Sequence, residues 1–356
     1  MATGSIWSDP RRRNLAVLGA MTLVAVLLAL GAIWQQADLG RAAYAPEQFF
    51  PGLAKQVRNA TTIHVASKSG AFDIVFIPDK SWVLPARGDF PASFDLVRRT
   101  LVGLAALQTI EPKTARADWL HYLGLDAPPK GDGIEITVRD DKGHMLASLI
   151  AGKSEDIGDS TGATGLFVRR PDELQSWLTR SVLDPRASLS DWLDKSVMDI
   201  DRARIQEADV DPAGSASFTV RREKPSDPDF TVSPLPAGKA LSDPTAPDGV
   251  AAAITGFGFD DVRPARDLDF SNPNLTSRVI TKTFDGLKVT VNVQRQGTDY
   301  WATVSAEAMS PQSTSLAEAT AINAHTSGWA YKLPAYKGQL FMTTLDSLLK
   351  APDAPR

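Results

Sequence analysis

Cysteine is absent from the 356-residue chain. That excludes disulfides, thiolate metal sites and cysteine nucleophiles together, and leaves the redox compartment open. Histidine is scarce: His64, His121, His144 and His325 are the only four, and none stands at the i, i+4 spacing of a helical metal site. An excess of positive charge is also missing. A formal net charge of −4 and a pI near 5.7 give no basic face, so nucleic acid is not an expected partner. Long apolar runs are lacking too, with one exception at the N-terminus. What is present is the balance of a folded globular protein, 43% hydrophobic and 22% charged, in a chain long enough for two or more domains.

The exception follows three arginines, Arg11, Arg12 and Arg13. Residues 14–36 carry no charge, and the apolar core of this run extends from Leu15 to Trp34 through Leu18, Leu23, Val26, Leu28 and Leu30. About 20 apolar residues match the length of a membrane-spanning helix. Arginines before the span place the N-terminus in the cytoplasm, and Trp34 suits the far interface. A cleaved signal peptide would have an apolar region of about 7–15 residues and a small-x-small cleavage site, which is poor here. The sequence therefore predicts a retained single-pass anchor, with the bulk of the chain at the outer face of the membrane.

Beyond Arg41 the pattern alternates strand and helix signals. Residues 62–67 and 72–78 read as two strands turning at Lys68-Ser69-Gly70. Residues 93–107 place Phe94, Val97, Leu101, Leu104 and Leu107 on one helical stripe, with Ser93 as cap. Residues 133–152 read as a hairpin turning at Asp141-Lys142-Gly143. Residues 165–171 read as a strand stopped by Pro171, and residues 172–183 as a helix.

The same order recurs downstream. A strand pair at 204–223, a proline-led helix closing at Pro264, and a hairpin at 277–297 turning at Asp285-Gly286 repeat the first set. Gly328 with Pro334 echoes Gly165 with Pro171. Several matches in one order predict an internal duplication, with residues 309–326 as a surface insertion.

Four further motifs lie along this frame: Phe50-Pro51-Gly52-Leu53; Leu123-Gly124-Leu125-Asp126 with Pro128; Gly165-Leu166-Phe167-Val168-Arg169; and Trp192-Leu193-Asp194-Lys195 running into Ile205. In these the chain resembles a bacterial family of membrane-anchored domains of unknown function, often encoded beside gliding-type (Gld) ABC transporters and their auxiliary extracytoplasmic subunit. The resemblance covers nearly everything beyond the anchor. It brings no catalytic residues, and it implies an accessory role near an envelope transporter.

Two matches to catalytic motifs occur in the stretch GKSEDIGDSTGATG, residues 152–165. GKS is the tail of a phosphate-binding loop, but a strand-like run precedes it and polar loop follows where a helix is required. GDSTG fits a serine-hydrolase elbow at Ser160, with His325 downstream, but lacks the strand-turn-helix context. Asp199-Ile200-Asp201 is a short acidic pattern that carries no chemistry by itself, and Asp260-Asp261 reads as the polar end of a helix. Trp82, Trp119, Trp177, Trp192, Trp301 and Trp329 could line a glycan or peptide groove, or fill cores.

The prediction is thus an α+β protein: a cytoplasmic N-terminus (1–14), a transmembrane helix (15–34), a connecting segment (35–60), two related α+β repeats (61–187 and 205–349) joined by a connector (188–204), and a tail (350–356). No catalytic, cofactor or metal residue is singled out. The expected role is a non-enzymatic accessory or scaffold subunit of an envelope ABC-type transport assembly. The alternatives are a periplasmic hydrolase or carbohydrate-active enzyme, and a periplasmic ligand-binding module.

Overall fold

Period-two alternation is the pattern that decides the architecture. Strand β1 (Ala60–Ser67) buries Ile63, Val65 and Ser67 and turns Thr62, His64 and Ala66 to its other face. In the computed structural model, which describes residues 21–27, 46–160, 162–311 and 314–350, such strands form two large sheets.

The first sheet holds β1, β2 (Gly70–Ile77), β3 (Ser81–Leu84), β4 (Phe90–Pro91), β5 (Gln108–Pro112), β6 (Ile134–Asp140), β7 (Met145–Glu155), β8 (Thr164–Arg169) and β9 (Ser176–Ser181). The second holds β10 (Ile205–Asp211), β11 (Phe218–Arg221), β12 (Thr231–Ser233), β13 (Asp261–Pro264), β14 (Thr276–Thr283), β15 (Leu287–Gln296), β16 (Asp299–Ala308) and β17 (Trp329–Leu333).

The first sheet runs β4-β3-β2-β1-β6-β7-β8-β9-β5 and the second β12-β11-β10-β14-β15-β16-β17-β13. With β4 set aside, the two orders coincide strand for strand. The hairpin β6–β7 turns at Gly143 and β14–β15 at Gly286, both at positive φ (79° and 86°), where glycine carries no Cβ penalty.

Helices are short and lie on the inner faces: α1 (Leu53–Gln56), α2 (Phe94–Ala106), α3 (Ala246–Ala251), α4 (Leu316–Thr326), α5 (Ala335–Phe341) and α6 (Leu345–Leu348). Ser93 caps α2, its side chain accepting from the Leu96 N–H at 3.4 Å. The buried face of α2 is Leu96, Val97, Thr100, Gly103 and Leu104, whereas Phe94 is 61% exposed. The expected stripe is thus rotated at its first turn.

One continuous hydrophobic core runs through both sheets. Where they meet, Phe90 of β4 packs edge-on against Phe259, Trp329 and Tyr331, with ring centroids 6.0, 5.0 and 6.2 Å away. Arg87 forms a two-point pair with Asp261 across the same junction. Trp192 is fully buried, and its backbone carbonyl accepts from the Ser93 N–H at 2.8 Å.

Several expectations are corrected. The α+β class gives way to a mostly β protein of two antiparallel sheets. Residues 172–183 are not a helix; β9 lies between β8 and β5 and buries Ser176, Leu178, Thr179 and Ser181. A strand buried on both faces shows no alternation, and its sheet neighbours override the helical reading. Gly165 does not fall on Gly328, because β17 occupies the place of β9 and β16 the place of β8. Among residues 309–326, α4 buries Ala319 and Ile322 and joins the core instead of forming a surface insertion.

The transmembrane helix is likewise unsupported: among the described residues no helix is long and apolar enough to cross a membrane. Residues 21–27 are helical, with Leu23 and Val26 exposed. Leu15, Leu18, Leu28, Leu30, Trp34 and the arginines Arg11, Arg12 and Arg13 lie outside the described residues.

Candidate functional site

The stretch with the most suggestive motifs resolves into a packing device. Gly152, Lys153 and Ser154 lie within β7, which continues to Glu155 and is followed by loop instead of a helix. A phosphate loop is therefore excluded by context. Gly152 is there because another segment crosses it: a Cβ at this position would stand 2.2 Å from the Leu123 carbonyl oxygen. Beside it, Lys153 Nζ donates to the Tyr122 carbonyl at 3.0 Å.

The crossing segment is the connection from β5 to β6. Residues 117–123 make a 3-10 turn that ends at Gly124, in the left-handed region with φ 70°. The Leu125 N–H then donates to the Leu120 carbonyl at 3.0 Å. This places Leu120 and Leu125 against Ile150, Phe167 and Leu178 in a second, smaller core on the outer face of the first sheet. Arg169 closes one side. It is 6% exposed, and its guanidinium donates to the carbonyls of Leu125, Arg170, Pro171 and Glu173. Burial lowers its pKa, opposed by the nearby Asp126 and Glu135 carboxylates.

This small core lifts two aromatic side chains into solvent. Trp119 is 49% exposed and Tyr122 65%. Arg116 stacks over Trp119 at 4.9 Å and the His121 ring lies 3.8 Å from that of Tyr122. Trp119 and Tyr122, with Pro112, Lys113 and Leu123, line a groove of about 390 Å³ along the β5 edge of the sheet. Exposed aromatics on a rigid support are the anchor residues of protein interfaces.

The other sequence candidates are dispersed. Ser160 lies exposed in the loop after β7, beside Asp159, whose carboxylate pairs with Arg180. His325 belongs to α4 of the other half, where its carbonyl accepts from the Tyr331 hydroxyl. The two are not brought into one site. His64 pairs with Asp73 at 2.7 Å and His144 with Asp140 at 3.1 Å. Among the described residues no group of three or more His, Asp or Glu is placed to hold a metal ion.

Asp201 uses its carboxylate on the Ala203 N–H, while Ile200 between the two aspartates is buried. Asp261 begins β13 and pairs with Arg87, so it is a contact between halves and not a helix end. Trp82, Trp192 and Trp301 are buried and Trp177 and Trp329 half-buried, so among the described tryptophans only Trp119 stands out. The tryptophans do not share a groove.

Sequence reasoning missed Tyr122 and the buried arginines. Arg222 repeats the role of Arg169, donating to the carbonyls of Ile205, Arg202, Ala203 and Asp227. The only sequence trace is an arginine pair at each strand end, Arg169-Arg170 and Arg221-Arg222.

Taken together, the molecule is an antiparallel β protein with two like-ordered sheets, one of which carries an exposed aromatic platform. Its family model match is to "Domain of unknown function (DUF4340)", over residues 82–274. This is more than half of the chain, and the protein belongs to that family. The matched span starts inside β3 and ends just before β14, so it takes in the junction between the sheets. No curated protein and no solved structure matches the chain.

Proposed function

We propose that the protein is a non-enzymatic accessory or scaffold subunit of an envelope ABC-type transport assembly, held at the bacterial inner membrane with its bulk in the periplasm. The supporting observation is the aromatic platform. Trp119 and Tyr122 are held out on the small outer core, and the motifs containing Leu125 and Arg169 are the ones that build it. A surface kept rigid by a dedicated second core suits docking, because little ordering entropy remains to oppose binding. The transport context rests on the family resemblance. The location rests on the same resemblance together with the charge and hydropathy of residues 11–34.

The test is co-purification of the full chain from detergent-solubilised membranes with mass spectrometry, comparing wild type with a Trp119→Ala/Tyr122→Ala variant. ABC transporter subunits should accompany the wild type and be depleted in the variant. Equal recovery from both, or no transporter subunit in either, would refute the proposal. A reporter active only in the periplasm, fused after Arg356, should be active.

A further inference from the structure

The two sheets end differently on the side where β1 turns into β2 and β10 into β11. In the first sheet the turn is Lys68-Ser69, and Lys68 Nζ pairs with Asp132 at 3.2 Å on the surface. In the second sheet the connection lengthens to residues 212–217, and residues 265–275 rise opposite it. Between them lies a pocket of about 530 Å³, within the range of about 300–1,000 Å³ that small-molecule sites occupy.

Its walls are braced by the protein's own hydrogen bonds. The Gly214 N–H donates to the Pro273 carbonyl at 3.4 Å, and the Ala213 N–H to the hydroxyl of fully buried Ser277 at 3.0 Å. The Asn272 side chain accepts from the Asn274 N–H at 3.0 Å, and its carbonyl from the Thr276 N–H at 3.0 Å. The pocket therefore exists before any ligand arrives, which lowers the ordering cost of binding.

The lining chemistry narrows the ligand. Asp211 and Arg278 are the only charged side chains in it, and they cancel. A net-neutral wall with a carboxylate disfavours anions and offers cations only one partner. Asp211, Asn274 and Arg278 are planar groups that present paired acceptors or donors, the geometry that vicinal hydroxyls engage. Ser215, Ser271 and Thr276 add hydroxyls. Phe270 supplies an apolar surface for the C–H face of a ring.

Unused polar capacity lies in Thr276 of the lining and in its strand neighbour. Thr276 is 8% exposed and Gln294, directly opposite it on β15, 7%. Among the described residues the Thr276 hydroxyl and the Gln294 side-chain oxygen have no hydrogen-bond partner, a costly state for buried polar groups. Thr276 lines the pocket, so rotation about χ1 turns its hydroxyl toward a ligand.

We propose that this pocket binds a neutral, hydroxyl-rich ligand of saccharide type. The site lies on the second sheet, away from the aromatic platform, and stands independently of the scaffold role.

The test is saturation-transfer NMR on the full chain. The probes are neutral mono- to trisaccharides of glucose, galactose, mannose and N-acetylglucosamine, each at about 5 mM to reach millimolar affinities, with inorganic phosphate as the anionic probe. At least one sugar should show transfer. Asp211→Ala, Phe270→Ala and Asn274→Ala should each weaken it by about tenfold or more, and Lys68→Ala in the first sheet should leave it unchanged. Asp211 is exposed, so its variant decides the matter even if Phe270→Ala fails to fold. No transfer from any sugar, transfer that survives the three pocket substitutions, or displacement of the sugar by phosphate would overturn the assignment.

Discussion

On the outer face of the first sheet, residues 113–133 bury Leu120 and Leu125 against Ile150, Phe167 and Leu178. On the corresponding face of the second sheet, Arg278, Asn292 and Thr303 lie side by side, half-buried or open to solvent. Strand order does not explain the difference, since the two sheets share it. The connections do. The segment between β5 and β6 carries Trp119, Leu120, Leu123 and Leu125 and is long enough to fold back over the sheet. The segment between β13 and β14, residues 265–275, is shorter and dominated by Asp, Asn, Ser and Pro. It brings no apolar cluster to that face and leaves Arg278, Asn292 and Thr303 uncovered.

A sheet face becomes a core only where a connection brings apolar side chains to it. The strands beneath respond accordingly: β7 places Ile150 on its outer face, where β15 places Asn292 and Thr290. One topology thus yields an aromatic platform in one half and an open polar pocket in the other.

The strongest way to break this comparison is to remove the cover's anchor. Leu125→Ala empties a fully buried position and should cost about 3–4 kcal/mol in a urea titration. A loss below about 1 kcal/mol would mean the small outer core is not a stabilising unit. Gly152→Ala tests the same contact from the strand side. The added Cβ meets the Leu123 carbonyl, so the cover must lift, at about 2–3 kcal/mol. Trp119 fluorescence should shift in parallel. A variant as stable as wild type would show the crossing to be loose.

In the second half the sensitive group is Lys337 of α5, 7% exposed, whose ammonium donates to the carbonyls of Ala253 and Thr255 and meets no carboxylate among the described residues. Burial lowers its pKa from the ordinary value of 10.5. The unfolded chain then holds the proton more tightly than the folded one. This lysine's contribution to stability should therefore rise with pH between its lowered folded value and the ordinary one, and be flat below both. Denaturation measured from pH 7 to 10 should show a rise that Lys337→Met abolishes. An identical pH profile in both proteins would contradict it.

The smallest expected effect is at Ser160. Exposed in a loop, Ser160→Ala should change stability by no more than about 0.5 kcal/mol, and a fluorophosphonate probe should not label the wild-type residue. Labelling would reopen the hydrolase reading.

Much of the frame was legible in the residues. Alternation identified β1, β6, β7, β14 and β15, and glycine at 143 and 286 marked both hairpin turns, because period-two burial and positive φ leave local traces. Ser93 was readable as a cap for the same reason. The platform was not. Trp119 and Trp192 look alike in sequence, yet one is half exposed and the other fully buried. Nor was the purpose of Gly152, since a glycine demanded by a close crossing resembles one demanded by a ligand.

By itself, then, the sequence determined the local periodicities, the turns and the absence of thiol chemistry, each a property of neighbours along the chain. The tertiary structure alone decided that β9 is a strand, that Arg169 and Arg222 are buried against carbonyls, and that one sheet is covered while its counterpart stays open. Those outcomes depend on which distant segments meet, and the free energy of burial is settled only at that meeting.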